Sequence, residues 1–547
     1  MRTYDTLFMW FMLLIVFILG YFVIPSFFLY ESSVSHEYLL IGLFITLLGL
    51  VILLFYFLGL RRQRNQIHIH LKAFQEAGMQ VFIEKYEKLL YSRDVGDLPK
   101  IARFIFNFNC LAVIQPKNIE ELKEIISLCE KYKIPLIPRG AGTSGYGGVL
   151  PIKNGIIVIM TLFDKIIDID EENDTVEAEC GITWEHLRKF LESNGKTLKT
   201  YPSSAPSSTI GGWVTQGGWG VGSAKFGSIN ESMINVTIIG TEGKEFQLED
   251  PEVFIGSCGR LGILWKVTLK IMNYSTMIHK IVSSTRQSQL LKAISEYQGL
   301  LPFFLRYDDY NNLIWKNSKP NQSLGGSQEC TGGVISMSFL EEDWNQGEFN
   351  EIKDKFQLVE QSNDLGKKFW NERFNTIKLK RRGPFLIIIE ILLPTIYLEK
   401  IIGVISKRYE KESYALEILP TSDHLSVMFV WFPVDMRRWS LPLIGSFTYA
   451  FHWLRFIDII HKVRRWKGRP YSSGLWFSSY SGLIYGQQLH KMKQLKTEID
   501  PQGIFNPGKV WGTRIPRFFP FIPLSFVFWM GSPLVGILYR ILPKKLR

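Results

Sequence analysis

The sequence predicts an α+β protein of two or three structural units behind an N-terminal helical hairpin. Three observations lead there: alternating strand and helix patterns from Ala112 onward, two glycine-rich clusters within that region, and two uncharged apolar runs at the start. At 547 residues the chain exceeds one compact domain.

The apolar runs are Leu7–Leu29 and Tyr38–Leu60, each long enough to cross a hydrocarbon layer as a helix. The first is too long for a cleaved signal peptide and is followed by no small-residue cleavage site. Arg61, Arg62 and Arg64 follow the second run, and positive charge on a short flank marks the cytoplasmic side. The expected topology is a hairpin with both ends inside, a cytoplasmic catalytic part and a multi-pass membrane location. A further apolar run, Phe518–Tyr539, is interrupted by Pro520, Pro523 and Pro533 and flanked by basic residues, which suits a segment lying in the interface. The basic and aromatic stretch Arg437–Arg469 has two readings, a surface resting on lipid or a core helix with a solvated face.

A net charge of +12 raises the question of nucleic acid, but Lys and Arg are scattered without a groove-reading motif. The expected partner for that charge is the anionic membrane surface, and no nucleic acid. Cys110, Cys129, Cys180, Cys258 and Cys330 form no CxxC pair, against an iron–sulfur or structural zinc site. No metal is expected.

Within the soluble part, AVIQP reads as a strand, IEELKEIISLCEKY as a helix and KIPLIPRG as a returning strand. GAGTSG, Gly140–Gly145, then fits G-x-G-x-x-G. A dinucleotide-binding turn of that kind requires a helix straight after it. Here Gly147, Gly148 and Pro151 follow, and GIIVIM is another strand, so the loop is a strand-to-strand turn. Its successive N–H groups suit a diphosphate, with Thr143 and Ser144 as hydroxyl donors and Arg139 as charge. Taken alone it is an ordinary glycine turn. The second cluster, Tyr201–Gly227, is dense in Gly, Ser and Trp, and two such loops around one strand region imply an extended, flat cofactor.

These segments resemble the FAD-linked oxidases of the vanillyl-alcohol oxidase type, with their PCMH-type FAD-binding fold. The stretch Ala112–Gly148 is similar to the family's opening subdomain and diphosphate loop, and STIGG, Ser208–Gly212, to its second FAD-contacting loop. IGSCGRLGILWKVTLKI, Ile255–Ile271, looks like the closing flavin-contacting strand. DPQGIFNPGKV, Asp500–Val510, resembles the tail that returns to the flavin domain in the glycolate and D-lactate dehydrogenase branch. The resemblance implies an FAD domain of two α+β subdomains over 108–272 and an α+β cap over 273–491. A C-terminal return over 492–513, a linker over 61–107 and an interface tail over 514–547 complete the chain, after the hairpin of 1–60. It implies FAD contacts at Arg139, Gly140, Ala141, Gly142, Thr143, Ser144, Gly145, Ser208, Thr209, Ile210, Gly211, Gly212, Gly259, Gly262, Ile263 and Asn506. Thr143 stands where some members carry a tethering histidine, which implies noncovalent FAD.

KKFWNERF, Lys367–Phe374, resembles the Trp-x-x-Arg element of the hydroxy-acid branch. Arg373 then has two readings, a carboxylate-binding fork or an ion pair with Glu372 or Glu390. His424 lies near that branch's histidine-rich element, but its second histidine is missing, and Tyr480 and Tyr485 stand there instead. The catalytic candidates are therefore Arg373, His424, Tyr480 and Tyr485. The leading expectation is a membrane-anchored FAD-dependent dehydrogenase passing hydride from an alcohol or hydroxy acid to flavin N5, then electrons to a quinone or other acceptor. A lipid-modifying flavoenzyme, with a lipid as substrate, and a non-catalytic scaffold are the alternatives.

Overall fold

The computed structural model describes residues 71–96, 108–316, 330–382, 385–410, 413–434, 455–515 and 519–523. The expected hairpin of 1–60, residues 435–454 of the basic-aromatic stretch and residues 524–547 of the tail lie outside them. No helix among the described residues is long and apolar enough to cross a membrane. The chain divides into two compact units, 1–78 and 79–547. In the first, residues 71–76 are helical, with Leu71 and Phe74 buried.

Among its described residues the second unit contains three main sheets and a two-stranded pair. In the first, β2 (Ala112–Ile114), β3 (Leu136–Arg139) and β4 (Ile156–Ile159) run parallel in the order β2-β4-β3. Parallel strands need a crossover. Helix α2 (Ile119–Lys131) provides it between β2 and β3, opened by Asn118, whose side chain accepts from Glu121 N at 2.9 Å. Leu122, Ile125, Ile126 and Cys129 form its buried face at helical spacing. The expected linker is partly a correction: β1 (Val81–Phe82) pairs antiparallel with β2, followed by α1 (Lys85–Tyr91). Pairing to β2 satisfies backbone groups that a linker would leave to water. At the other edge Asn506 N donates to Leu136 O and Leu136 N to Ile504 O, so the returning tail is stitched onto β3.

The second sheet contains β5 (Ile166–Asp170), β6 (Thr175–Glu179), β8 (Met233–Ile239), β9 (Glu245–Leu248) and β10 (Ile263–Asn273), in the order β5-β6-β10-β8-β9. Strand β7 (Lys196–Leu198) pairs with the end of β10. Helix α3 (Trp184–Ser193) and the short helix α4 (Ile210–Gln216) pack on it through Trp184, Leu187, Leu191, Ile210 and Val214.

The cap is one eight-stranded sheet with the order β14-β11-β13-β12-β16-β17-β15-β18. Its strands are β11 (Met277–Ser283), β12 (Phe304–Asp308), β13 (Val334–Leu340), β14 (Val359–Glu360), β15 (Phe385–Pro394), β16 (Ala415–Pro420), β17 (Leu425–Val434) and β18 (Arg469–Pro470). Period-two alternation decides what each face touches. Ile387, Ile389, Ile391 and Leu393 of β15, with Met428, Val430 and Phe432 of β17, pack on α5 (Gln287–Gly299) and α6 (Leu398–Arg408). Leu386, Ile388 and Glu390 face the other way. Helix α7 (Arg455–Val463) buries Phe456, Ile459, Ile460 and Val463 in the same core. For this part of the basic-aromatic stretch the core-helix reading holds, since the apolar side chains are already covered by protein.

Candidate active site

A cavity of about 350 Å³ lies between the glycine loops and the free face of the cap sheet. Gly140, Ala141, Gly142, Thr143, Ser144 and Gly145 line it, together with Arg139, Ser208, Thr209, Gly211, Gly212, Gly259, Gly262 and Ile263. Across from them stand Leu386, Ile388 and Glu390 of β15, Phe429 and Trp431 of β17, and Tyr471.

The 140–145 loop is held open by its surroundings. Arg139 turns back under it: Nη1 donates to Tyr91 O at 3.0 Å and to Arg93 O at 2.6 Å, and the guanidinium packs beneath Gly142. The charge expected to face the diphosphate is thus spent on backbone carbonyls, and burial lowers its pKa. Gly142 has φ +71, and a Cβ there would run into that guanidinium. A Cβ on Gly140 would strike Thr209 Oγ1, so the two glycine loops meet at this point. Ser144 Oγ donates to Gln216 Oε1 at 3.1 Å, a second tie between them. Asp94 accepts from Gly147 N at 2.8 Å, and burial raises its carboxyl to about 6.

The donor set fits a diphosphate. Among the described residues, the N–H groups of 141–145 donate to no protein acceptor, and these residues line the cavity. Successive N–H groups left unpaired along a cavity wall form a nest that favours an anion. The second loop contributes differently: Ile210 N donates to Ile182 O, Gly211 N to Cys180 O and Gly212 N to Thr209 Oγ1. It supplies close-fitting surface, and Ile210 itself is buried in the subdomain core outside the cavity. Asn506 also lies behind the wall. Its Nδ2 donates to Gly148 O at 2.8 Å and Cys258 O at 2.6 Å, tying the first loop to the segment before β10. Cys258 has a raised pKa from burial, near 12.

None of the four expected catalytic residues lines the cavity. Arg373 is stacked on Trp370 at 3.8 Å and Phe374 at 4.2 Å, with Nη1 donating to Trp370 O. It pairs with neither Glu372 nor Glu390, because the rings already cover it. His424 is exposed in the β16–β17 turn with φ +56, and its carbonyl accepts from Thr395 N. Among the described residues no cluster could hold a metal ion. Tyr485 is a tie, its hydroxyl bonded to Ser473 Oγ and Gly256 O. Tyr480 packs against the cap core beside Phe477.

Besides Arg139, Asp94, Cys180 and Cys258, the titratable side chains that line the cavity among the described residues are Tyr146, Glu390 and Tyr471. Tyr146 Oη donates to Glu390 Oε2 at 2.7 Å, and burial raises Glu390 to about 7. Tyr471 N donates to Glu390 O at 3.1 Å, while Tyr471 Oη accepts from Trp219 N at 2.9 Å. The sequence carried one sign of Glu390: it is the lone charge in the apolar run Phe385–Pro394.

Residues 110–249 match the family described as FAD binding domain. The glycolate oxidase subunit GlcD of Bacillus subtilis (strain 168) is 32% identical over 172 residues, covering 29% of this chain and 37% of that protein. The mitochondrial D-lactate dehydrogenase (cytochrome) of Kluyveromyces lactis is 29% identical over 178 residues, covering 30% of this chain and 31% of its own. The chain thus spans about a third of the length of these relatives. Among solved structures, alkyldihydroxyacetonephosphate synthase superposes with a TM-score of 0.62 at 18% identity, over 81% of this chain and 85% of that one. p-Cresol methylhydroxylase with substrate bound gives 0.64 at 13% identity, over 82% and 96%. These two share the fold. With the free amides of 141–145 in the matched region, the chain carries a PCMH-type FAD-binding domain, and FAD is its cofactor.

Proposed function

We propose that this protein is a membrane-anchored FAD-dependent dehydrogenase that oxidises an alcohol or hydroxy acid and passes the electrons to a quinone or other acceptor. The observation that carries the reading is a cavity with a glycine-loop wall on one side and a cap wall bearing a carboxyl–phenol pair on the other. When bound, FAD supplies the two-electron acceptor. The amides of 141–145 hold its diphosphate, and the cap wall positions the substrate end. FAD is held noncovalently, with Thr143 at the position of the tether. The names of the relatives, glycolate oxidase and D-lactate dehydrogenase, support a hydroxyl-bearing substrate. Membrane attachment is supported by the two uncharged N-terminal runs and by exposed apolar side chains at α1: Ile83, Tyr86, Leu89 and Leu90, beside Lys85 and Lys88.

A lipid-modifying flavoenzyme is the second reading, favoured by the apolar strip of Leu386, Ile388, Phe429 and Trp431. A scaffold gives no account of a buried carboxyl aimed into a cavity.

The test is to purify the protein in mild detergent, record its spectrum and precipitate it with acid. Flavin released into the supernatant is expected; colour retained in the pellet overturns noncovalent binding. Anaerobic addition of hydroxy acids and of apolar alcohols follows, and bleaching of the visible flavin band by one class is expected. Bleaching by neither class would sink the dehydrogenase reading.

A further inference from the structure

The cap wall of the cavity holds one carboxyl among the described residues, and its surroundings leave that carboxyl one free oxygen. In the β15–β17 ladder Ile388 stands opposite Trp431 and Glu390 opposite Phe429, so Glu390 is set in an apolar strip. Tyr146 Oη donates to Oε2 at 2.7 Å. Oε1 accepts from no described residue, and the side chain keeps surface toward the cavity. Neighbouring polar groups are committed elsewhere. Ser144 bonds Gln216, Gln216 bonds Ser472, Ser472 Oγ donates back to Gln216 O, and Tyr471 Oη is taken by Trp219. Three unpartnered polar atoms on lining residues, Trp219 Nε1, Trp431 Nε1 and Thr376 Oγ1, are all neutral. The sole lining cation among the described residues, Arg139, is turned under the glycine loop.

We propose that Glu390, oriented by Tyr146, accepts the hydroxyl proton of the substrate, and that the substrate is an uncharged alcohol with an apolar body. The proposal rests on the dehydrogenase reading above and narrows it. A substrate carboxylate would share the cavity with Glu390, whose surroundings are largely desolvated, and like charges there disfavour each other. An alkyl or isoprenoid chain meets Leu386, Ile388, Phe429 and Trp431 at no such cost. In the reaction the O–H bond breaks and its proton passes to Glu390. The oxygen lone pair forms the carbonyl, and the C–H electron pair leaves as hydride to the oxidant that FAD supplies. Product is the aldehyde or ketone, and Glu390 leaves the step neutral. Tyr146 from the loop, Tyr471 from beyond β18 and Glu417 from β16 face the carboxyl, and Glu417 is itself paired with Lys316 at 2.7 Å. Burial sets Glu390 near 7, so the proton-accepting form grows in as pH rises through neutrality.

The test uses full-length FAD-loaded protein in detergent. Decan-1-ol, farnesol and cholesterol are compared with glycolate and D-lactate for anaerobic flavin bleaching. An apolar alcohol is expected to bleach the band, and Glu390→Gln to slow it by about 10²–10⁴-fold at unchanged FAD content. A readout without turnover is equilibrium binding of decanoic acid, followed by the shift of the flavin spectrum. In wild type it should tighten as pH falls through about 7 as Glu390 is neutralised, and in Glu390→Gln it should be tight and independent of pH above the ligand's own titration. Glu390→Asp should keep the pH dependence, which a merely structural role would not require. Bleaching by D-lactate or glycolate alone, full-rate Glu390→Gln, or wild-type decanoate binding that ignores pH would each overturn the proposal. If no compound bleaches the flavin, the dehydrogenase reading fails, while the decanoate titration still decides whether Glu390 titrates in the ligand pocket.

Discussion

The cofactor wall and the cap wall enclose the same cavity, yet one is built from backbone and the other from side chains. On the cofactor side the groups that matter are N–H donors of 141–145 and glycines whose missing Cβ makes room. On the cap side the backbone is spent in the β15–β17 ladder, and recognition falls to Ile388, Glu390, Phe429 and Trp431. A backbone site tolerates few changes of residue but many neighbours; a side-chain site can be retuned one position at a time without touching the fold. That difference separates cofactor retention from substrate choice, and each can be attacked alone.

The largest effect should come from the cofactor wall. Gly142→Val combines a β-branched residue at φ +71 with a collision against the Arg139 guanidinium. Purified variant should be folded by circular dichroism and carry no flavin. Stoichiometric FAD in that variant would break the assignment of this loop to the diphosphate.

The same contrast explains what could be read from the sequence. The glycine loops were legible because a backbone site leaves a compositional mark: few residues other than Gly serve where φ is positive or a Cβ has no space. The cap wall was not legible, because its content depends on register. Whether Glu390 faces the cavity is decided by pairing with β17, and shifting that register by one residue would turn it away. The expected catalytic residues fall outside the cavity for a related reason. Arg373 and His424 have the right chemistry in sequence, but one is roofed by Trp370 and Phe374 and the other sits on a turn. Tyr146 went unnoticed because it follows the glycine motif and reads as part of its turn, whereas its hydroxyl reaches Glu390, far along the chain.

A smaller effect should separate support from contact. Asn506→Ala removes two hydrogen bonds to the buried carbonyls of Gly148 and Cys258. The cost should be about 1–3 kcal/mol in thermal or denaturant unfolding. FAD should dissociate faster because two pieces of its wall lose their common tie. A variant as stable as wild type would mean that the tail does not brace the cofactor side.

On the cap side, Ile388→Ala should leave FAD content and stability to acid release as they are. It removes apolar surface beside Trp431, and binding of an apolar alcohol should weaken about tenfold. Loss of flavin from this variant would show that the two walls are not separable, and would break the comparison.

The smallest expected effect tests a residue that chemistry alone would promote. His424 is exposed and has a positive φ of +56, and its backbone carbonyl accepts from Thr395 N. His424 does not line the cavity, so replacing it changes neither wall. His424→Ala should retain wild-type flavin reduction, and His424→Gly should do the same while relieving the left-handed strain at the turn. Reduction rates for both variants within about twofold of wild type are the expected result. A drop of about a hundredfold or more in either, with FAD still bound, would place the proton-accepting group at the β16–β17 turn and remove Glu390 from that role.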